Sequence, residues 1–96
     1  MMVLVTYDVD TTLKSGEKRL RRVAKECVNY GRRVQNSVFE CLLTDAQFCL
    51  LKSKISGIID NEKDSIRFYF LGNIWNKRIE VIGKNTTFDV ESTLII

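Results

Sequence analysis

Histidine and proline are both absent from this chain of 96 residues. Without histidine, every catalytic triad or general-base scheme that depends on an imidazole is excluded. Carboxylates, hydroxyls, thiols and bound metal ions are the remaining chemical agents. The three cysteines, Cys27, Cys41 and Cys49, are an odd number without C-x-x-C spacing, so no zinc site is expected. They are interpreted as small, reduced residues of the core.

Long apolar runs are also missing. No stretch approaches the roughly 20 apolar residues that span a bilayer. The N-terminal run is broken at Asp8 and has no basic region before it, unlike a secretory signal. Hydrophobic residues make up 45% of the chain and charged residues 28%, as in ordinary folded proteins. We therefore expect one domain over residues 1–96, a cytoplasmic location and no membrane partner.

Positive charge is concentrated between residues 14 and 33. This segment contains eight of the chain's 15 basic residues and only two acidic ones, which gives it a charge of +6. The basic residues are Lys14, Lys18, Arg19, Arg21, Arg22, Lys25, Arg32 and Arg33. Arginines in such a cluster suit bidentate contacts with phosphate oxygens. The alternative is a solvated helix face without a ligand.

The first predicted strand, "VLVTYDVD" at residues 3–10, ends in two carboxylates. In an extended chain, side chains alternate between the two faces. One face then has Leu4, Thr6, Asp8 and Asp10, and the other has Val3, Val5, Tyr7 and Val9. Asp8 is either a turn or capping residue or a ligand for a metal ion. Tyr7 is either packed in the core or a donor to phosphate.

A helix is predicted next, with an apolar stripe over residues 20–28 and Gly31 as its left-handed C-terminal cap. "RRVQNSVFECLL" at residues 32–43 is then predicted to be one continuous strand. Along that strand Arg33, Gln35, Ser37 and Phe39 share a face. They are candidates to contact nucleic acid with a cation, an amide, a hydroxyl and an aromatic ring, or else they form ordinary cross-strand pairs.

A capping box at Thr44–Gln47 predicts a second helix that ends near Asp60. "SIRFYFLG" and "KRIEVIGK" predict two further strands, and the apolar tail "STLII" a terminal strand that pairs with its own sheet edge or a partner's. These elements are interpreted as an α+β, ferredoxin-like βαββαβ fold, an antiparallel sheet with both helices on one face. The helix-free face is a candidate dimer interface.

Metal chemistry at Asp8 would need more carboxylate ligands than a single chain supplies. Mg²⁺ typically takes one or two carboxylates together with waters and substrate phosphate. A two-fold dimer brings the same residue of each subunit towards one axis. Two Asp8 side chains could then flank one metal ion.

Three segments together resemble one known family. "YDV" at the end of the first strand, "GRRVQNSVFE" after the first helix and "DSIRFYFL" before a glycine are similar to the CRISPR-associated Cas-two family over residues 3–83. The resemblance implies a ferredoxin-like homodimer with Mg²⁺-dependent phosphodiesterase activity, on single-stranded RNA or double-stranded DNA. It implies Asp8 as the metal ligand, and Arg33 as the motif arginine with Ser37 and Phe39 beside it. It also implies a scaffold that bridges two Cas-one integrase dimers during spacer acquisition.

Two functions from different classes follow. In the first, paired Asp8 carboxylates hold Mg²⁺, or Mn²⁺, in an endonuclease while nearby arginines position the backbone. In the second, the protein is a non-catalytic scaffold whose arginines grip duplex phosphates. Candidate nucleic-acid-binding residues are Tyr7, Arg19, Arg21, Arg22, Arg33, Ser37 and Phe39. An RNA-recognition module is disfavoured because "SIRFYFLG" lacks the glycine pattern of that module. The role of Asp10 stays undetermined.

Overall fold

The five strands in the part of the chain that the structure describes form one antiparallel sheet. The computed structural model describes residues 1–71 and 78–84. Along these residues lie β1 (Met2–Asp8), α1 (Lys14–Val28), β2 (Gly31–Gln35), β3 (Val38–Leu42), α2 (Asp45–Ser56), β4 (Ser65–Phe70) and β5 (Arg78–Gly83). The strand order is β2-β3-β1-β4-β5, and every neighbouring pair is antiparallel. Because α1 connects β1 across β3 to the edge strand β2, the predicted ferredoxin-like arrangement is confirmed.

Both helices pack against the same face of the sheet. Along β1, Val3, Val5 and Tyr7 are buried, whereas Leu4 and Thr6 between them are half-buried. The helices add to the same buried cluster the residues Val23, Ala24, Cys27, Phe48, Leu51 and Ile55. The predicted alternation along β1 is therefore confirmed. We call the face of the sheet opposite the helices the open face.

The predicted start of the second helix is also confirmed. The Gln47 backbone N–H donates to Thr44 Oγ1 over 3.1 Å, and the Thr44 backbone N–H donates to Gln47 Oε1 over 2.9 Å. This reciprocal pair satisfies two amides that a helix N-terminus otherwise leaves unbonded. The helix ends at Ser56, earlier than predicted, although Ile59 beyond it is still buried. Neither described helix is long and apolar enough to cross a bilayer.

The prediction of one continuous strand over residues 32–43 is wrong. The chain reverses at Asn36 and Ser37, so the segment forms the hairpin of β2 and β3. Arg33 lies opposite Phe39, but an irregularity in the register places Gln35 opposite Val38. Cross-strand partners share a face, so Arg33 and Gln35 lie on different faces of the sheet. The turn was missed because it lacks the Asn-Gly or Asp-Gly pair that marks a tight hairpin.

Gly31 is not the left-handed helix cap that its position predicts. The residue after α1 is Asn29, in the right-handed region, and Gly31 already begins β2. Glycine is required there by a close approach of backbones, because a Cβ atom at Gly31 would lie 1.8 Å from the carbonyl oxygen of Glu40. Among the glycines of the described ranges, only Gly83 has a positive φ, of 96°.

A buried aspartate, Asp64, connects four segments of the fold through its carboxylate and its backbone carbonyl. The Tyr7 hydroxyl at the end of β1 donates to Asp64 Oδ2. From α1, Arg19 Nε donates to Oδ2 over 2.7 Å and Nη2 donates to Oδ1 over 3.1 Å. The Asp60 backbone N–H donates to Oδ2 over 3.0 Å, and that of Lys84, after β5, donates to the Asp64 carbonyl. We call Tyr7, Arg19 and Asp64 the buried triad.

Charge explains why this carboxylate tolerates full burial. Burial by itself would raise the pKa of Asp64, but the hydrogen bonds from Arg19 and Tyr7 outweigh it and hold that pKa below its ordinary value of 3.8. The bond to Asp64 raises the pKa of Arg19. Burial, followed by the hydrogen bond to Asp64, raises the pKa of Tyr7. The triad thus contains one carboxylate and one guanidinium, both ionised, and a neutral phenol.

Asp64→Asn should lower the free energy of unfolding at neutral pH by about 2 kcal/mol, the scale of a hydrogen bond to a charged group. Because the folded state binds the proton of Asp64 less readily than the unfolded state, the stabilisation is fully present above pH 3.8 and is lost as pH falls further. Urea unfolding at several pH values measures this. The difference in the free energy of unfolding between wild type and Asp64→Asn should become smaller below pH 3.8. Asp60→Asn is the matched control, since an amide oxygen can still accept the loop N–H bonds that Asp60 Oδ1 accepts. If this difference in the free energy of unfolding does not change with pH, Asp64 is not ionised within the buried triad.

Candidate functional site

The open face brings the end of β1 beside the start of β4. Asp8 lies opposite Ser65, and Thr6 lies opposite Arg67. Leu4 in turn lies opposite Tyr69, so all these side chains share the open face. Alternation in β1 and β4 therefore produces a mixed surface in which polar side chains gather at the end of the sheet where β1 finishes.

Asp8 stands at the edge of a cavity on this face. The cavity has a volume of about 200 Å³ and is lined by Thr6, Asp8, Ser65, Arg67 and Tyr69. The Asp8 side chain is exposed, whereas Ser65 is buried and Arg67 and Tyr69 are half-buried. We call this space the Asp8 cavity. Its lining combines one carboxylate, one guanidinium and three hydroxyls, a set suited to a charged oxygen-rich ligand.

Asp10, the second acid of the opening motif, has a different environment. Its Oδ1 accepts from the Thr12 backbone N–H over 2.9 Å and from the Thr12 hydroxyl over 2.6 Å. These bonds lower the pKa of Asp10 and form a local turn that leads into α1. Asp10 is therefore a turn residue in this structure, and it does not line the Asp8 cavity.

The donors of the Asp8 cavity fit a hard cation. Within the described ranges, no group of three or more histidine, cysteine, aspartate or glutamate side chains is placed to hold a metal ion. Mg²⁺ needs no such cage, because it keeps several waters and binds through one or two carboxylates and substrate phosphate. Asp8 would be the ligand from this chain, with the Thr6 and Ser65 hydroxyls close by to bond its water.

Two of the predicted nucleic-acid-binding arginines converge on a groove beside α1. Arg21 from the helix and Arg33 from β2 line it together, in a volume of about 320 Å³. The other lining residues are Thr11, Glu17, Leu20 and Asn36. Arg33 is fixed there, since its Nε donates to the Asn36 carbonyl over 2.7 Å and its guanidinium lies 5.6 Å from the Phe39 ring centre. We call this the arginine groove.

The arginine groove and the Asp8 cavity lie at the same end of the sheet. The Tyr7 backbone N–H donates to the Ser37 carbonyl over 2.8 Å, so the β2–β3 turn abuts the end of β1. Arg33 shares the helix-covered face with Phe39, whereas Asp8 is on the open face. The two candidate sites therefore lie on opposite faces of the sheet, the groove at edge strand β2 and the cavity between β1 and β4.

The remaining predicted residues are distributed differently. Tyr7 and Phe39 are 2% and 0% exposed, so their rings offer no surface to a ligand in this structure. Arg19 is engaged by Asp64 in the buried triad. Ser37 is half-buried in the turn, and Arg22 is exposed on α1 without lining either site.

Sequence reasoning missed Asp64, Arg67 and Tyr69. Asp64 follows the polar run "DNEK", where an acid is normally solvated. Arg67 and Tyr69 alternate with buried Ile66 and Phe68, and this alternation gives them a shared face. What the pattern could not supply is the register, which places this face of β4 beside Asp8.

Comparison with known proteins identifies the family. The profile of the family described as "CRISPR associated protein Cas2" matches residues 1–79. The "CRISPR-associated endonuclease Cas2" of Halalkalibacterium halodurans is 53% identical over 95 residues, which cover 99% of each chain. The "CRISPR-associated endoribonuclease Cas2" of Chlorobaculum tepidum is 53% identical over 96 residues, the whole of both chains.

A solved structure agrees with these sequence relatives. The crystal structure of Streptococcus pyogenes Cas2 at pH 6.5 superposes with a TM-score of 0.75 and 63% sequence identity. The superposition covers 78% of this chain and 90% of that one. The Cas-two resemblance of the three motifs is thereby confirmed. On its motifs, its fold and its relatives, this chain belongs to the CRISPR-associated protein Cas2 family.

Proposed function

We propose that this protein is a metal-dependent endonuclease that hydrolyses phosphodiester bonds of RNA or DNA during spacer acquisition. The observation that supports this most is the exposed Asp8 carboxylate at the Asp8 cavity. The relatives named endonuclease and endoribonuclease support the same activity. The absence of histidine leaves metal-assisted hydrolysis as the route best matched to a lone carboxylate.

The proposal includes a homodimer formed through the open face. Met2 and Leu42 are cross-strand partners on this face and are 38% and 66% exposed. Burying such side chains against a second copy is favourable because apolar surface leaves water. An isologous contact would also bring the partner's Asp8 towards the same axis. The metal site would then have two carboxylates instead of one.

In this mechanism the chain's own residues would hold the metal ion and orient its bound water. A bound Mg²⁺, or Mn²⁺, supplies Lewis-acid stabilisation of phosphate charge and lowers the pKa of its bound water. Asp8 contributes the carboxylate ligand, and Thr6 and Ser65 contribute hydroxyls that can hydrogen-bond the water shell.

Asp8→Asn should reduce Mg²⁺-dependent cleavage by about 100-fold or more. Mutating a residue that only hydrogen-bonds a metal ligand already costs up to about 100-fold in activity, and mutating the ligand itself should cost more. The assay is a labelled single-stranded RNA and a duplex DNA, each with Mg²⁺ and with a chelator. Asp10→Asn is the matched control, because an amide oxygen at this position can still accept both bonds from Thr12. Cleavage that survives in Asp8→Asn, or that falls equally in Asp10→Asn, would contradict the assignment.

The arginine groove favours a second function, a DNA-binding scaffold that bridges integrase dimers of the Cas-one type. Arg21 and Arg33 come from separate elements but line one groove, as a clamp on a phosphate backbone requires. Such contacts position a duplex without reading its sequence. They also lie on the other face of the sheet from Asp8, so the two functions can be separated by mutation.

Reversing both charges, in Arg21→Glu with Arg33→Glu, should weaken duplex affinity at low salt and reduce the salt-dependence slope by about 2, one for each lost phosphate contact. Fluorescence anisotropy over a salt series measures both quantities. The control with the same change of net charge is Lys25→Glu with Lys63→Glu, two exposed cations outside the groove. Equal losses in the two variants would mean that only net charge matters. If neither variant loses duplex affinity, the duplex does not bind at the arginine groove.

A further inference from the structure

We propose that Glu17 accepts a hydrogen bond from the ribose 2′-hydroxyl of a nucleotide in the arginine groove, so that this groove binds RNA more tightly than DNA. The inference rests on the nucleic-acid binding proposed for the groove and adds to it a residue that determines specificity. Among its lining residues the groove has one carboxylate, that of Glu17, together with the guanidinium groups of Arg21 and Arg33. A site for phosphate alone would gain nothing from a carboxylate, because like charges repel.

Glu17 and Arg21 lie one turn apart on α1, where side chains four residues apart share a face of the helix. This spacing favours an ion pair, which would neutralise both groups. The ion pairs within the described ranges nevertheless join other residues. No hydrogen bond in that part of the chain engages either side chain. The carboxylate and the guanidinium are therefore both available to one ligand.

The backbone fixes the position of Glu17 at the start of α1. Its N–H donates to the Leu13 carbonyl over 3.1 Å. At the preceding residue, a Cβ atom on Gly16 would lie 1.8 Å from the carbonyl oxygen of Asp10, so the first turn packs tightly against the loop that follows β1. Thr11 of this loop lines the same groove. The first turn of the helix thereby brings the Glu17 side chain to the groove.

The 2′-hydroxyl is the group that distinguishes RNA from DNA, and it can donate a hydrogen bond. An ionised carboxylate only accepts, and its hydrogen bonds are about twice as strong as those between neutral groups. Deoxyribose offers no donor at the same position, so a bound DNA strand would leave Glu17 without a partner and beside a phosphate. The carboxylate therefore favours RNA by a bond that DNA cannot form to offset the repulsion.

The proximity of an acceptor and a cation in the groove matches the structure of a nucleotide. The 2′-hydroxyl is on the carbon next to the one that bears the 3′-phosphate, so a site for both needs the two kinds of group side by side. Glu17 and Arg21 are neighbours of this kind, with Cβ atoms typically about 5–6 Å apart. Arg33 adds a second guanidinium from β2. The groove volume of about 320 Å³ is within the range of small-ligand pockets, about 300–1,000 Å³, and suits one nucleotide.

The test measures the binding of a labelled oligouridylate and of the oligodeoxyuridylate of the same length by fluorescence anisotropy, with a chelator present. The two strands have the same base, which carries no amino group, so they differ in the 2′-hydroxyl. Wild type should bind the RNA about tenfold more tightly, the scale of one hydrogen bond to a charged group. Glu17→Ala should bind both strands with equal affinity. Glu17→Gln should keep part of the preference, because its amide oxygen can still accept.

The control accounts for the change in net charge. Removal of a negative charge raises the affinity for any nucleic acid, so the ratio of the two affinities is the quantity compared. Glu62→Ala is the matched control, because Glu62 is an exposed glutamate outside the groove. Its ratio should equal that of wild type. Equal affinity of wild type for the two strands, or a preference that survives in Glu17→Ala, overturns the proposal.

A methylated strand tests the contact without any change to the protein. In 2′-O-methyl oligouridylate the 2′-oxygen remains but can no longer donate, so wild type should bind this strand as weakly as DNA. An acid in the first turn of a helix also interacts favourably with the helix dipole, and a purely structural role of that kind would leave the three affinities equal. If thermal unfolding shows that Glu17→Ala does not fold, the methylated strand decides. An affinity equal to that for unmodified RNA then overturns the proposal.

Arg21→Glu with Arg33→Glu in parallel separates this inference from the proposal on which it rests. If this double variant loses binding while Glu17→Ala keeps the preference for RNA, the arginine groove stands and the role of Glu17 is wrong. If the double variant binds oligouridylate as wild type does, the groove is not the binding site and the inference is overturned with it. The same conclusion follows if wild type binds neither strand.

Discussion

The buried triad is the interaction on which the rest of the structure depends. Asp64 accepts hydrogen bonds from β1 through Tyr7, from α1 through Arg19 and from its own loop through Asp60. A lone carboxylate would be expelled from such a site by its desolvation cost. The guanidinium of Arg19 supplies the counter-charge, and the phenol of Tyr7 occupies a further lone pair. The end of β1 is thereby held against α1 and the start of β4.

This constraint also determines where function can reside. Tyr7 points into the core to meet Asp64, so alternation turns the next residue, Asp8, to the open face. Ser65 follows Asp64 directly and lies opposite Asp8. The triad therefore fixes both walls of the Asp8 cavity from the other side of the sheet. The Asp8 carboxylate, which we propose binds a metal ion, is exposed on the open face, whereas the Asp64 carboxylate is buried on the other side of the sheet.

The faces of β1 and the start of α2 could be predicted from the sequence, because each depends only on residues that are close together in the chain. Strict alternation in β1 placed Asp8 on the open face, and the capping box placed the start of α2 at Thr44. The hairpin of β2 and β3 was missed because the Asn36-Ser37 turn has no glycine, so an apolar run across it resembles one long strand. Gly31 was assigned to a cap because its need for space comes from Glu40, a residue on another strand.

The site residues that escaped prediction depend on contacts between distant segments. Asp64 and Arg19 are 45 residues apart in sequence, and nothing in a polar loop or a basic helix indicates that the two pair. Tyr7 was a candidate for nucleic acid because it is beside Asp8, and Arg19 because it belongs to a cationic cluster, yet the fold uses both internally. The predicted terminal strand over residues 92–96 lies outside the described residues. These contacts depend on how distant segments are aligned in the fold, which the composition of each segment does not reveal.

We propose that Asp8 in the Asp8 cavity binds the metal ion, and paramagnetic broadening by Mn²⁺ tests this without any substrate. In spectra of the isotope-labelled protein, Mn²⁺ should broaden the backbone amide signals of Thr6, Asp8, Ser65 and Arg67 at the lowest concentrations. The same titration of Asp8→Asn should leave those signals sharp. Broadening that persists in Asp8→Asn, or that centres on the acidic loop between Asp60 and Asp64, would show that Asp8 does not bind the metal ion.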